Sequence, residues 1–172
     1  MGNIMDYIEW RGDLPFTQSE FNDVDNLILA CFSYVNLDGI QEAASQNGIE
    51  LKALTEKFLQ LHTEKELKDD KSFIRFAPFM MLEMAKTERF GQCVIRNYVN
   101  EIVAEEAQQF SAVEICLSDG TSYISFRGTD DTIVGWKEDF NMSFLPEIPA
   151  QKEALNYLNQ ISRRYFYKNF YL

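Results

Sequence analysis

The apolar residues of this chain change their spacing at Gly91. Before it they recur at three- and four-residue steps, the pattern of helices with one buried face; after it they alternate or run continuously, as strands do. A chain that switches period from 3.6 to 2 has to lay helices against a sheet, which restricts it to mixed α/β or α+β architectures. The expected domain organisation is a helical, cap-like region over residues 1–91 and a sheet-forming region over 92–172, packed as one domain.

In the first region, Thr17-Gln18-Ser19-Glu20 has the form of a capping box, followed by Phe21, Val24, Ile28, Cys31 and Val35 on one helical face. That helix is expected to close near Asp38-Gly39. A second stripe, Leu51, Leu54, Phe58 and Leu61, runs into the charged residues 63–71, read as a solvated connection. Pro78 suits the first turn of a third helix carrying Phe79, Leu82, Met84 and Ala85 and closing near Gly91.

In the second region, residues 94–102, 110–117 and 121–127 read as strands, with Ser118-Asp119-Gly120 supplying the turn of a hairpin. Pro149 opens a helix whose apolar side carries Ala154, Leu155, Leu158, Ile161 and Tyr165. The aromatic residues 166–172 follow as a last strand. The intervening helix has the length of a crossover, so strands 121–127 and 166–172 are expected to lie parallel in one sheet.

Composition narrows the function. Lys and Arg number 16 against 27 Asp and Glu, a net charge of −11 that argues against a broad nucleic-acid-binding face. His62 is the one histidine, and Cys31, Cys93 and Cys116 are widely spaced, so neither a zinc site nor a disulfide framework is expected, and the cysteines suit the cytoplasm. His62 itself reads as a helix-end imidazole, not a general base. The acids Asp130, Asp131, Glu138 and Asp139 read as surface charge and helix-start residues; no metal and no cofactor is expected. The opening residues carry no signal peptide, and the longest apolar run, 27–32, is too short to span a bilayer.

The stretch richest in chemistry is Tyr123-Ile124-Ser125-Phe126-Arg127-Gly128-Thr129-Asp130-Asp131, with Gly135-Trp136-Lys137-Glu138-Asp139-Phe140 behind it. A strand that stops at a glycine presents its backbone just beyond its carboxyl end, where ligands of open α/β sheets bind. This segment resembles that of class 3 lipases, and more closely that of bacterial lipase-like α/β-hydrolase proteins of unknown function. The resemblance is specific over residues 110–144 and looser to residue 172; in the helical region it rests on Phe21-Asn22-Asp23-Val24-Asp25-Asn26. It implies an incomplete α/β-hydrolase-like sheet preceded by a helical N-terminal region. It also implies an oxyanion hole at Gly128, Thr129 and Asp130, and a loop or lid at Trp136 and Asp139.

No Gly-x-Ser-x-Gly occurs anywhere, and His62 precedes the strands instead of following them. By the resemblance the chain is therefore the N-terminal part of a serine ester hydrolase, lacking nucleophile and triad histidine and inactive alone. The full-length relative would act on a small ester or lipid. The alternative is a non-catalytic binding or interaction protein on a partial hydrolase fold. With the last strand unflanked, a homodimer through that strand or the C-terminal helix is expected.

Overall fold

The computed structural model describes residues 2–69, 74–103, 108–128, 144, 148–163 and 170–171. Helix α1, Ile4–Arg11, begins where the Asn3 side chain accepts the amides of Met5 and Asp6 and Asp6 returns a bond to the Asn3 amide. Helix α2, Asp23–Phe32, uses the same reciprocal box five residues after the expected one, with Asn22 as cap and Asp25 as its partner. The Thr17-Gln18-Ser19-Glu20 stretch stays non-helical because the carbonyls of Ser19 and Glu20 are drawn to the guanidinium of Arg89. Helix α2 also stops at Phe32, short of Asp38-Gly39, and the Ser33 hydroxyl closes it by donating to the Ala30 carbonyl.

Three short helices and one long one complete the helical half. They are α3 (Gln41–Ala44), α4 (Leu51–Leu61), α5 (Glu64–Asp69) and α6 (Ala77–Met84), the last with Pro78 in its first turn as expected. The charged connection contains α5, a surface turn with no buried residue, started by Thr63 and Glu66. Helix α6 does not reach Gly91. It ends at Ala85, and Thr87 caps a separate turn, α7 (Glu88–Gly91).

The sheet runs in the order β1 (Ile49–Glu50), β2 (Val94–Val103), β3 (Gln108–Cys116), β4 (Ser122–Phe126) and β5 (Phe170–Tyr171). The first four are antiparallel neighbours and β5 lies parallel to β4, so the chain is mixed α/β, as expected at that level. The hairpin turn at Ser118-Asp119-Gly120 places Gly120 at φ +86, a left-handed conformation that costs glycine little. Gly48, at φ +72, enters β1 so close to β2 that a Cβ would stand 2.6 Å from Val94 Cγ1. Pairing of β2 with β3 shifts between Arg96 and Val99, a bulge that returns below.

Alternation along the strands sorts side chains between two layers. Val113, Ile115, Leu117 and Tyr123 join the large core with Ile28, Leu29, Phe32, Leu54, Phe58, Met80, Met81 and Phe90 from the helical half. Phe110, Ala112 and Ile124 face helix α8 (Pro149–Ser162), where Tyr157 and Ile161 pack on them. Tyr157 is thus an anchor that the expected stripe omitted, whereas Leu155, assigned to it, is 58% exposed. Tyr165 lies outside the described residues. No helix among the described residues is long and apolar enough to cross a membrane.

Arg89 locks the helical half together. Its Nε and Nη2 donate to the two Asp25 carboxylate oxygens at 2.8 and 2.6 Å, and its remaining protons go to the carbonyls of Leu14, Ser19 and Glu20. Asp25 also accepts from Tyr7 of α1 and from its own cap amide. The guanidinium lies 4.0 Å over the ring of Phe16. Arg89 and Asp25 are 1% and 0% exposed, so removing one partner strands a buried charge. We expect Arg89→Met to lower the unfolding free energy in urea by about 3–5 kcal/mol, and Arg89→Met with Asp25→Leu to recover much of that loss. A single variant within about 1 kcal/mol of the parent, a surface-pair magnitude, would refute this role.

Candidate functional site

Strand β4 leaves the sheet through Arg127 and Gly128. The Arg127 amide still donates to the Ser111 carbonyl at 2.9 Å, continuing the ladder, and Gly128 is exposed. By alternation Arg127 shares the helical face of the sheet with Tyr123. There it meets β2, where its Nη2 donates to Asn100 Oδ1 at 2.8 Å, and Asn100 Nδ2 donates to Asp38 Oδ2 at 2.8 Å.

Asp38 belongs to the turn that follows α2. Asn36 Oδ1 accepts the Asp38 amide, Gly39 takes φ +88, and the Leu37 amide donates to the Tyr98 hydroxyl at 3.3 Å. Tyr34, at the end of α2, hangs over the exit: a Cβ on Gly128 would stand 3.1 Å from its hydroxyl oxygen. Five polar side chains (Tyr34, Asn36, Asp38, Tyr98 and Asn100) therefore converge with Arg127 at the carboxyl end of β4.

Charge at this exit is unbalanced. Among the described residues no carboxylate lies within ion-pair distance of Arg127, and its Nε–H is buried with no acceptor. Burial pushes the Tyr98 phenol up to about 12, the Leu37 amide opposes that rise, Asp38 adds to it, and the charge of Arg127 works against it. The cation is thus felt across the cluster.

Of the residues singled out from sequence, Gly128 stands at this exit. Thr129, Asp130, Trp136 and Asp139 lie outside the described residues. His62 closes α4, with its amide on the Phe58 carbonyl and its ring 4.4 Å from the Phe58 ring. Among the described residues no group of three His, Cys, Asp or Glu side chains is placed to hold a metal. Asn36, Asp38, Tyr98 and Asn100 escaped sequence reading because three separate stretches supply them; the one local signal was a cation directly before the strand-ending glycine.

A family model described as Mbeg1-like matches residues 84–172, more than half of the chain and all of β2 to β5. No curated protein and no solved structure matches the chain. The match is to a family other than the class 3 lipase-like hydrolases, and it overturns both that resemblance and the reading as an ester-hydrolase fragment. An ester or lipid substrate loses its ground as well. Strand–Arg-Gly-Thr is a three-residue ending that any strand stopped by a glycine can carry, too short to separate one family from another.

The Tyr98 shift has a sign that can be measured. Its pKa is near 10 in an unfolded chain and about 12 when folded. The neutral phenol therefore adds stability that is fully present below pH 10 and is lost as pH rises towards 12. Tyr98→Phe should flatten this alkaline limb in urea unfolding measured at successive pH values. It should also cost about 1–3 kcal/mol at neutral pH through the buried Leu37 amide. An identical alkaline limb in parent and variant would exclude Tyr98 as its source.

Proposed function

The chain belongs to the Mbeg1-like family, and we propose that the exit of β4 binds a small ligand through a carboxylate or phosphate group, with Arg127 as the recognising cation. One observation carries this reading: a half-buried guanidinium whose Nε–H is buried without an acceptor and whose charge, among the described residues, has no carboxylate within ion-pair distance. A buried donor without a partner costs about 1–3 kcal/mol. A planar oxyanion presents acceptors in the spacing of the guanidinium fork and takes up the charge at the same time. Tyr34 supplies a neutral hydroxyl over Gly128, whose backbone is exposed.

Acetate, citrate and inorganic phosphate distinguish the two oxyanions. At a hundredfold excess over its Kd the bound anion should stabilise the protein by about 2.7 kcal/mol. That corresponds to roughly 5–11 °C in Tm for a chain of this size. Arg127→Gln should abolish the shift and Arg127→Lys should retain part of it. An undiminished shift in Arg127→Gln, or none with any of the three anions in the parent, would sink the proposal.

The same reading includes a cytoplasmic setting, supported by free thiols at Cys31, Cys93 and Cys116. It also includes a homodimer through β5 or α8, supported by exposed Leu155 on α8 and the two-residue pairing of β5 with β4. The charge of −11 opposes association, so sedimentation velocity should show the dimer strengthening from low to moderate salt. A monomer at both salts would remove it.

A further inference from the structure

On the other side of the sheet, the bulge of β2 opens a cavity of about 240 Å³ between the turn after α3 and helix α8. Its volume is the share of about eight water molecules, enough for one small ring. The polar walls are the carboxamides of Gln46, Asn97 and Gln160, and the apolar floor includes Val99 and Ile161. Among the described residues no charged side chain lines it, although a quarter of the chain's residues are charged.

Asn97 is held at φ +52, among the described residues the one non-glycine with a positive φ. Such a conformation persists where the surroundings over-determine it, and three anchors do so here. Its amide donates to the Ser45 carbonyl at 3.1 Å, its carbonyl accepts the Tyr157 hydroxyl at 2.9 Å, and its Nδ2 donates to Glu114 Oε2 at 2.7 Å. Glu114 is fully buried and also accepts from Arg96 and Ser122, at 2.8 and 2.9 Å. The carboxylate takes only donors, so it fixes which end of the Asn97 carboxamide faces it. Gln46 and Gln160 are exposed, and their side chains make no hydrogen bond among the described residues.

We propose that this cavity binds a neutral, hydroxyl-rich ligand of the size of a single sugar ring, through the carboxamides of Gln46, Asn97 and Gln160. The carboxamides of Gln46 and Gln160 each offer a donor and an acceptor side by side, and vicinal hydroxyls demand that combination because every hydroxyl is both. The apolar floor suits the C–H face of a ring. Among the described residues the lining offers an ionic ligand no counter-charge for the water it would lose. A strained but immobile Asn97 lets the site bind without ordering its central wall.

The test is a ¹⁵N-resolved titration of the full chain with methyl glucoside, methyl galactoside and N-acetylglucosamine. At least one sugar should shift the side-chain amides of Gln46, Asn97 and Gln160 saturably. Gln46→Ala and Gln160→Ala, both surface changes that leave the core intact, should each weaken binding about 2–10-fold, the worth of one net hydrogen bond. Arg127→Gln should leave it unchanged, which separates this site from the β4 exit. Absence of saturable shifts with all three sugars would overturn the proposal. So would binding undiminished in the doubly substituted chain, or stronger shifts of the same amides with methyl phosphate.

Discussion

The contact between Arg89 and Asp25 joins pieces of chain that could not hold their shape separately. Helix α1 has 8 residues, α2 has 10 and α7 has 4, all below the length at which an isolated helix is stable in water. The carbonyls of Leu14, Ser19 and Glu20 and the carboxylate of Asp25 from α2 meet at the Arg89 guanidinium of α7, every one of whose N–H groups is used, and Tyr7 from α1 joins through Asp25. The Arg89 amide adds a bond to the Gly12 carbonyl. A Cβ on Gly12 would stand 2.5 Å from Thr87 Cγ2, which shows how tightly α7 is drawn onto the end of α1. A buried ion pair contributes modestly to net stability; its stronger effect here is on position, because moving any of these segments away would leave a buried charge or carbonyl without its partner.

The chain treats its three sheet- and core-facing arginines in two ways. Arg89 has Asp25, and Arg96 has Glu114, whose carboxylate is wholly buried on the α8 side of the sheet. Arg127 has a neutral amide. Where the purpose of a buried cation is structural, this protein supplies a carboxylate within 3 Å. At the exit of β4 it supplies Asn100 instead and ties an acid, Asp38, to the far side of that amide. The oxyanion-binding proposal rests on that contrast, together with the buried Nε–H.

Legibility in the sequence followed the range of the interaction that decided each feature. Helix α4, the hairpin between β3 and β4 and the start of α8 were readable because stripe, turn glycine and helix-opening proline act within a few residues. The start of α2 was misplaced because Thr17-Gln18-Ser19-Glu20 is a sound local signal that loses to a guanidinium some 70 residues away. Helix α6 was drawn too long for the same reason, since the break at Ala85 serves to bring Arg89 inward. Tyr157 was missed because its burial depends on Phe110 and Phe126, whose rings it meets edge-on. At the β4 exit Gly128 was visible from sequence, whereas Asn36, Asp38, Tyr98 and Asn100 become neighbours only when the turn after α2 is laid against β2. The family likeness failed at the opposite extreme, on a motif so local that it carries little information.

Asp25 and Arg89 are separated by 64 positions, and that separation has a consequence in time. A ribosome adding about 5–20 residues per second needs roughly 3–13 s to make the second residue after the first. Throughout that interval the carboxylate has no guanidinium, and burying it alone would be costly, so α1 and α2 cannot collapse into their final places as they are made. The N-terminal helices instead wait, hydrated and open, until α7 is synthesised, and β2 follows within a few residues. Docking of the first two helices is thereby tied to the late arrival of a single arginine, and the strands β3 to β5, made later still, add to a helical layer already closed.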